Sequence, residues 1–190
     1  MRGHDLFRIA AVFACVLCYS TILLGGTVMA SDSGLGCPHW PTCYGNANLL
    51  PAYVGSAAVE WSHRVSAFFL SVNILVLALL GLVYERSRKV LLRMSLLSLG
   101  LVVTEALLGG VVVESALLLE FVLIHLAIAT ALFGILLILT LLSNLREMPK
   151  RWITWARRAA DEVPDDATEP APGATHPVES PTGVGRPREG

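Results

Sequence analysis

Charge is what this sequence has least of, and its scarcity is patterned. Only 15% of the 190 residues are charged, against 54% apolar. Residues 9–30, 65–84 and 121–142 carry no Asp, Glu, Lys or Arg, and residues 94–113 carry a single acid, Glu105. Soluble domains interrupt their apolar runs far sooner. Runs of about 18 residues or more are long enough to cross a hydrocarbon core of about 30 Å. A soluble globular protein is thereby excluded. The chain also lacks net charge: the formal value of -1 excludes a nucleic-acid binder driven by bulk positive charge. Cysteine is sparse, with 4 in all. No A-x-A cleavage site precedes the first loop, so the first apolar run is predicted to be a retained span rather than a signal peptide.

Positive charge is nearly absent from one side. Of the 14 Lys and Arg, only Arg64 falls beside the first long connection; the others precede the first span, lie between spans two and three, or follow span four. The positive-inside bias therefore predicts cytoplasmic termini, with a long outer connection at 31–58 and a short one near 114–119. The predicted fold is an all-α membrane protein. Four transmembrane helices, about 9–30, 59–84, 94–113 and 119–142, form an up-down bundle within residues 1–148. Residues 149–160, with Trp152, Trp155 and several basic side chains, read either as an amphipathic stretch on the inner leaflet or as a frayed helix end. Residues 161–190 are polar and rich in proline, too poor in apolar surface to offset ordering entropy, and read as a disordered cytoplasmic tail. His176 in that tail is assigned no role.

A weak repeat runs through the spans. GGTVMAS, from Gly25, and GGVVVES, from Gly109, share the pattern G-G-x-V-x-x-S and both precede an outer connection. Each following span opens with a Glu and then a His: Glu60 and His63, then Glu120 and His125. The bundle thus reads as two similar helical hairpins. Glycine pairs are common in membrane helices because they admit close backbone approach, and packing alone accounts for them. Their fixed place relative to a histidine asks for more.

His63 and His125 carry the chemical argument. Both lie near the outer ends of spans two and four, at depths that differ by under about 10 Å on a rise of about 1.5 Å per residue. An ionisable side chain within a span marks a candidate site. Two imidazoles at one level of a helical bundle suit the two axial positions of a haem iron. One turn further along each helix stands an alanine, Ala67 and Ala129, which leaves room for a flat macrocycle. The competing reading is that each histidine hydrogen-bonds a neighbouring helix. Glu60 and Arg64 share a face with His63. The arginine suits a bidentate contact to a carboxylate such as a haem propionate, and the glutamate suits a proton acceptor or a stabiliser of developing positive charge. An interfacial Glu60–Arg64 ion pair is the plainer alternative. In the outer connection, Cys37 and Cys43 flank two prolines and His39. On an oxidising face they can close a small ring contributing about 2 kcal/mol on the chain-entropy model, either as a structural staple or as a labile redox pair. Cys15 and Cys18 lie inside span one and read as small apolar residues.

Taken together, GGTVMASDSGLGCPHWPTCYG, EWSHR, LGGVVV and IHLAIA resemble the haem A synthase family. That family shows a glycine pair ending its first span, a stretch like S-G-L-x-C-P-x-W-P-x-C-x-G, a helix opening E-x-x-H-R and a further histidine on the fourth helix. The resemblance covers roughly residues 25–132. It implies a multi-pass enzyme of a prokaryotic cell membrane that oxidises the C8 methyl of haem O to a formyl group, giving haem A for cytochrome oxidase. By matching motif it implies that Glu60, His63, Cys37, Cys43 and His125 are functional positions; joined to the residue chemistry above, the expected site has Glu60 as catalytic residue, His63 and His125 on the haem iron, Arg64 as a further haem-binding residue, and a Cys37–Cys43 disulfide. Haem O is the implied substrate and haem A the product, with haem B a further candidate. Haem O synthase and cytochrome oxidase assembly proteins are candidate partners, and nucleic acid is not. Two departures accompany the resemblance. Members are commonly about twice as long, with two similar four-helix halves, so this chain resembles a compact single-half form found in some archaea, and a homo-oligomer is expected. Span three usually carries a Gln where Glu105 stands. A non-enzymatic bis-histidine cytochrome b or haem-transfer protein is the alternative function; a quinone-linked thiol oxidase lacks its second outer cysteine pair, and a structural assembly subunit leaves both histidines without a role.

Overall fold

The computed structural model describes residues 3–44 and 55–145. Among them are four helices and no strand: α1 Gly3–Ala30, α2 Ser56–Tyr84, α3 Lys89–Glu114 and α4 Leu119–Asn144. Each is long and apolar enough to cross a membrane. The helices run past the uncharged stretches at several ends, taking in Asp5 and Arg8 on α1 and Lys89 and Arg93 on α3. Charge marks where lipid stops; the helix itself continues into the polar interface. The predicted stretches 149–160 and 161–190 lie outside the described residues.

The bundle runs up, down, up, down. Each helix packs on its two neighbours in the order α1, α2, α3, α4 and back to α1, while the diagonal pairs α1/α3 and α2/α4 keep their backbones more than 8 Å apart at Cα among the described residues. The diagonals are therefore the open directions of the bundle. At the end bearing Gly3 and Asn144, polar side chains tie the helices together. His4 Nδ1 lies 2.7 Å from Glu85 Oε1, Arg88 donates from Nη2 to the Leu142 carbonyl at 3.0 Å, and Arg8 Nε donates to that of Ser143 at 3.1 Å. Glu85 is only 1% exposed, and its other oxygen has Arg88 Nη1 at 3.5 Å, an ion pair too loose to count as a hydrogen bond.

The two hairpins obey one plan far beyond the glycine pairs. In a constant register, buried Phe7, Ala11, Ala14 and Cys18 of α1 correspond to buried Leu91, Ser95, Ser98 and Val102 of α3. Leu70, Ile74, Leu77 and Gly81 of α2 correspond to Leu132, Leu136, Leu139 and Ser143 of α4. Even the ends match. The Ser33 and Leu117 amides reach back to the Val28 and Val112 carbonyls, both at 2.9 Å, around Asp32 and Ala116 in the left-handed region at φ 51° and 52°. Both helices thus stop in the same αL-terminated cap.

The core these residues make is confined to one end. It is built from Phe7, Ala10, Ala11, Ala14, Cys18, Leu70, Ile74, Leu77, Leu91, Val102, Leu132, Leu136 and Leu139. On α2 nothing between Glu60 and Leu70 is buried, and on α4 nothing before Leu132 is. Toward the long connection the buried residues of the bundle come mainly from α1 and α3, among them Thr21, Val28, Glu105, Gly110 and Val112. Outward faces are large apolar side chains such as Phe13, Phe68, Leu107 and Leu123, a surface made for lipid.

Candidate functional site

His63 and His125 stand on α2 and α4, a diagonal pair of the bundle. Each lies two helical turns, about 10 Å, beyond the last buried leucine of its helix, Leu70 or Leu132. The two face the part of the bundle where the core has stopped, within electrostatic reach of one another. Ala67 and Ala129 between histidine and leucine are only half-buried.

Why the glycine pairs recur is answered here. A side chain at Gly25 would stand 3.1 Å from His63 Cε1, and one at Gly109 would stand 3.6 Å from His125 Cε1. The first glycine of each pair is where the histidine ring of the same hairpin lies across its neighbouring helix. The second glycine of the α3 pair, Gly110, seats the indole of Trp40, whose Cδ2 lies 3.1 Å from where a Cβ would be. Among the described residues, nothing lies within 4 Å of where a Cβ on Gly26 would stand. Three of the four glycines are thus covered within the chain, which removes most of their value for contact between copies.

Each ring has an oxygen of the preceding helix near its Nδ1, but only that of His63 is hydrogen-bonded. His63 Nδ1 donates to the Thr21 carbonyl at 3.1 Å. His125 Nδ1 lies 2.9 Å from Glu105 Oε2 but out of line for a hydrogen bond; among the described residues neither this nitrogen nor Glu105 Oε1 has a hydrogen-bond partner. With Nδ1 addressed from the neighbouring helix, Nε2 is the nitrogen with a lone pair to offer. These observations fit a flat, iron-bearing ring between the histidines: glycines beneath the rings, small residues alongside and, among the described residues, no hydrogen bond at either Nε2.

Glu60, Arg64 and the cysteines form a second group. Cys37 and Cys43 are disulfide-bonded with Cα atoms 4.3 Å apart, and Cys15 and Cys18 are free. The peptide between Trp40 and Pro41 is cis. Glu60 is 3% exposed. Its Oε2 accepts the Cys37 amide at 2.7 Å, and its Oε1 accepts Arg64 Nε at 3.1 Å and Nη2 more closely. Arg64 also donates to the Cys37 carbonyl at 2.8 Å, the His39 carbonyl at 2.6 Å and, at 3.5 Å, that of Thr42. So the carboxylate, imidazole and guanidinium expected to converge are divided. Glu60 and Arg64 fasten the disulfide ring to α2, while His63 turns to α1. The guanidinium expected to grip a propionate is engaged with loop carbonyls. The ring in turn lies over α3 through Trp40 on Gly110, and Gly36 packs directly on the α2 backbone at Ser56 and Ala57. His39 is exposed and contributes its carbonyl. Among the described residues no group of three or more His, Cys, Asp or Glu is placed to hold a bare metal ion.

Sequence reasoning gave no role to Thr21 or Trp40 and did not foresee that Gly110 of the second glycine pair seats the Trp40 indole. The signal for Thr21 was present: with the glycine pairs aligned, Thr21 falls opposite Glu105, one turn before Gly25 and Gly109 respectively.

Comparison with known proteins places these residues in context. A family described as cytochrome oxidase assembly protein (COX15-CtaA) matches residues 8–54 and 51–162. The chain is 30% identical over 171 residues to a heme A synthase of Geobacillus thermodenitrificans, covering 90% of this chain and 51% of that protein. It is 30% identical over 136 residues to one of Alkalihalophilus pseudofirmus, covering 72% of this chain and 45% of the relative. It is 29% identical over 133 residues to one of Oceanobacillus iheyensis, covering 70% and 41%. The chain therefore spans about half the length of the curated relatives it matches.

Proposed function

The chain belongs to the cytochrome oxidase assembly protein family, and from that premise we propose that it is a haem A synthase: a multi-pass membrane oxidoreductase that converts the C8 methyl of haem O to the formyl group of haem A. The observation that carries the reading is the pair His63 and His125. They stand on diagonal helices above the end of the core, each faced at Nδ1 from an equivalent place on the preceding helix. Methyl to formyl takes in one oxygen atom from water and releases four electrons and four protons, so it requires an external electron acceptor; the haem's own iron and conjugated ring would pass those electrons on. The protein supplies orientation and electrostatics. His63 and His125 would hold the iron through Nε2. The floor of Cys18, Leu70, Val102 and Leu132 sets the depth and keeps water out from below. Glu60 contributes fixed negative charge at the loop end, balanced by Arg64, and stabilises positive charge developing beside the ring. Arg64 is the group that a propionate would share with the loop carbonyls.

The distribution of Lys and Arg supports an extracytoplasmic position for the disulfide loop in a prokaryotic cell membrane. Haem B is a second candidate occupant. If two haem sites are needed, identical chains supply both, and the assembly is a homo-oligomer of closed symmetry. Haem O synthase and cytochrome oxidase assembly proteins are the proposed neighbours.

The test is the pigment. Extracted from purified protein, it is expected to contain haem O or haem A, and protein given haem O is expected to produce haem A. His63→Leu and His125→Leu should each change the Soret spectrum; full haem content and an unchanged spectrum in both would refute the site. One observation favours the second reading, a bis-histidine cytochrome or haem-transfer protein: both Glu60 oxygens are already hydrogen-bonded within the protein. A protein that binds haem O and never oxidises it would establish that alternative.

A further inference from the structure

The α1–α3 register sets Thr21 and Glu105 at one position of the two hairpins, each one turn before the glycine that makes room for the histidine ring. Each addresses Nδ1 of its own hairpin's histidine. What differs is the acceptor: a main-chain carbonyl behind His63, a carboxylate oxygen behind His125. Every other correspondence noted in the buried faces of α1 and α3 exchanges small or apolar side chains. This one exchanges a hydroxyl for an ionisable group.

Glu105 is 8% exposed, and among the described residues one of its oxygens has no hydrogen-bond partner. It is the single acid of residues 94–113. Among the described residues its ion-pair contact is His125. A carboxyl group that deep is costly unless a polar partner faces it, and the partner it faces is His125. From this geometry we infer that Glu105 is the positioning residue of His125, making His125 the firmly held haem ligand and His63 the exchangeable one; the inference rests on the haem-site reading above.

The chemistry runs through the ring. A carboxylate accepts a stronger hydrogen bond from an imidazole N–H than a peptide carbonyl does. It fixes the tautomer with hydrogen on Nδ1, orients the ring and raises the donor strength of Nε2. Oε2 is already at hydrogen-bond distance from Nδ1 and is only out of line. Rotation of the imidazole about its Cβ–Cγ bond aligns the two when Nε2 turns to the iron. His63 has the weaker acceptor and cannot have it strengthened by a side chain, because that acceptor is backbone. A substrate haem must enter and its product leave, and one ligand that lets go before the other serves that traffic.

The experiment uses the full chain purified in detergent, with haem content, ligation spectrum and midpoint potential as readouts. His63→Ala is expected to keep haem bound through His125 with a changed spectrum, and His125→Ala to retain about tenfold less. Glu105→Leu is expected to weaken haem retention by about tenfold and to move the potential to more positive values, since a poorer donor favours the reduced iron. Glu105→Gln, of the same shape, is expected to restore retention through its amide oxygen while leaving the potential positive of the unaltered protein. Equal haem loss in the two histidine variants would overturn the inference. So would a Glu105→Gln or Glu105→Leu protein with unaltered potential and spectrum. Haem binding indifferent to both histidines would instead refute the haem-site reading itself, so the two failures are distinct.

Discussion

Three glycine-to-alanine substitutions separate a histidine cradle from ordinary helix packing. Alanine in place of a helical glycine gains roughly 0.5–1 kcal/mol of helix propensity when space allows. At Gly26 nothing among the described residues lies within 4 Å of the new methyl, and at Gly109 the methyl meets His125 Cε1 at 3.6 Å, an ordinary contact. Gly26→Ala and Gly109→Ala should therefore be neutral to stabilising, with haem content unchanged. At Gly25 the methyl would stand 3.1 Å from His63 Cε1 and 3.4 Å from Nδ1. The ring must yield by a few tenths of an ångström, and its bond to the Thr21 carbonyl resists this. If a displacement of about 1 Å costs about 100-fold in rate, a few tenths cost roughly threefold to fivefold. Gly25→Ala should thus lose about that factor in haem A formation and shift the Soret band, with a melting temperature no lower than that of Gly109→Ala by more than a few degrees. Thermal unfolding in detergent, haem quantitation and turnover of haem O measure the three quantities. If Gly25→Ala matched Gly26→Ala in spectrum and turnover, the glycine pairs would be packing devices and nothing more.

Other predictions concern the loop and the helix ends. Alkylation before and after reduction, read by mass spectrometry, should find Cys37 and Cys43 protected until reduced, and reduction should lower stability by about 2 kcal/mol. Glu60→Ala should destabilise the fold by about 3 kcal/mol, because it leaves a largely buried Arg64 without its partner; Glu60→Ala with Arg64→Leu should recover part of this, and strictly additive losses in denaturation would argue against the pair. Ala116→Gly should raise stability by about 1 kcal/mol in the same assay, since Ala116 sits at φ 52° where glycine carries no steric cost. Mass measurement in detergent, corrected for bound lipid, should return a multiple of 20.4 kDa; a strictly monomeric particle that still made haem A would refute the proposed homo-oligomer.

What the sequence determined by itself was set by one-dimensional physics. Lipid tolerates almost no charge, so uncharged stretches as long as a bilayer is thick declared four helices and their alternation. Two cysteines close in sequence on a bent loop could reach only a short way, and they pair. The hairpin repeat surfaced only at its glycines, because buried correspondences such as Ala11 with Ser95 or Cys18 with Val102 preserve size rather than identity. The rest was decided in three dimensions. A soluble helix announces its inner face by polarity, but a helix apolar all round announces nothing, so the rotation of α1–α4 could be fixed only by packing. That rotation put His63 and His125 on the diagonal helices α2 and α4, and it turned Glu105 toward His125. The spacing of Glu60, His63 and Arg64 placed them on one face, yet it could not tell which neighbour each would choose. The disulfide loop brought an amide and several carbonyls within reach, and a carboxylate and a guanidinium facing them are better satisfied by those groups than by an imidazole. Local spacing limits which side chains share a surface, and the folded loop settles the partners, because a buried charge is stable only where its hydrogen bonds are made.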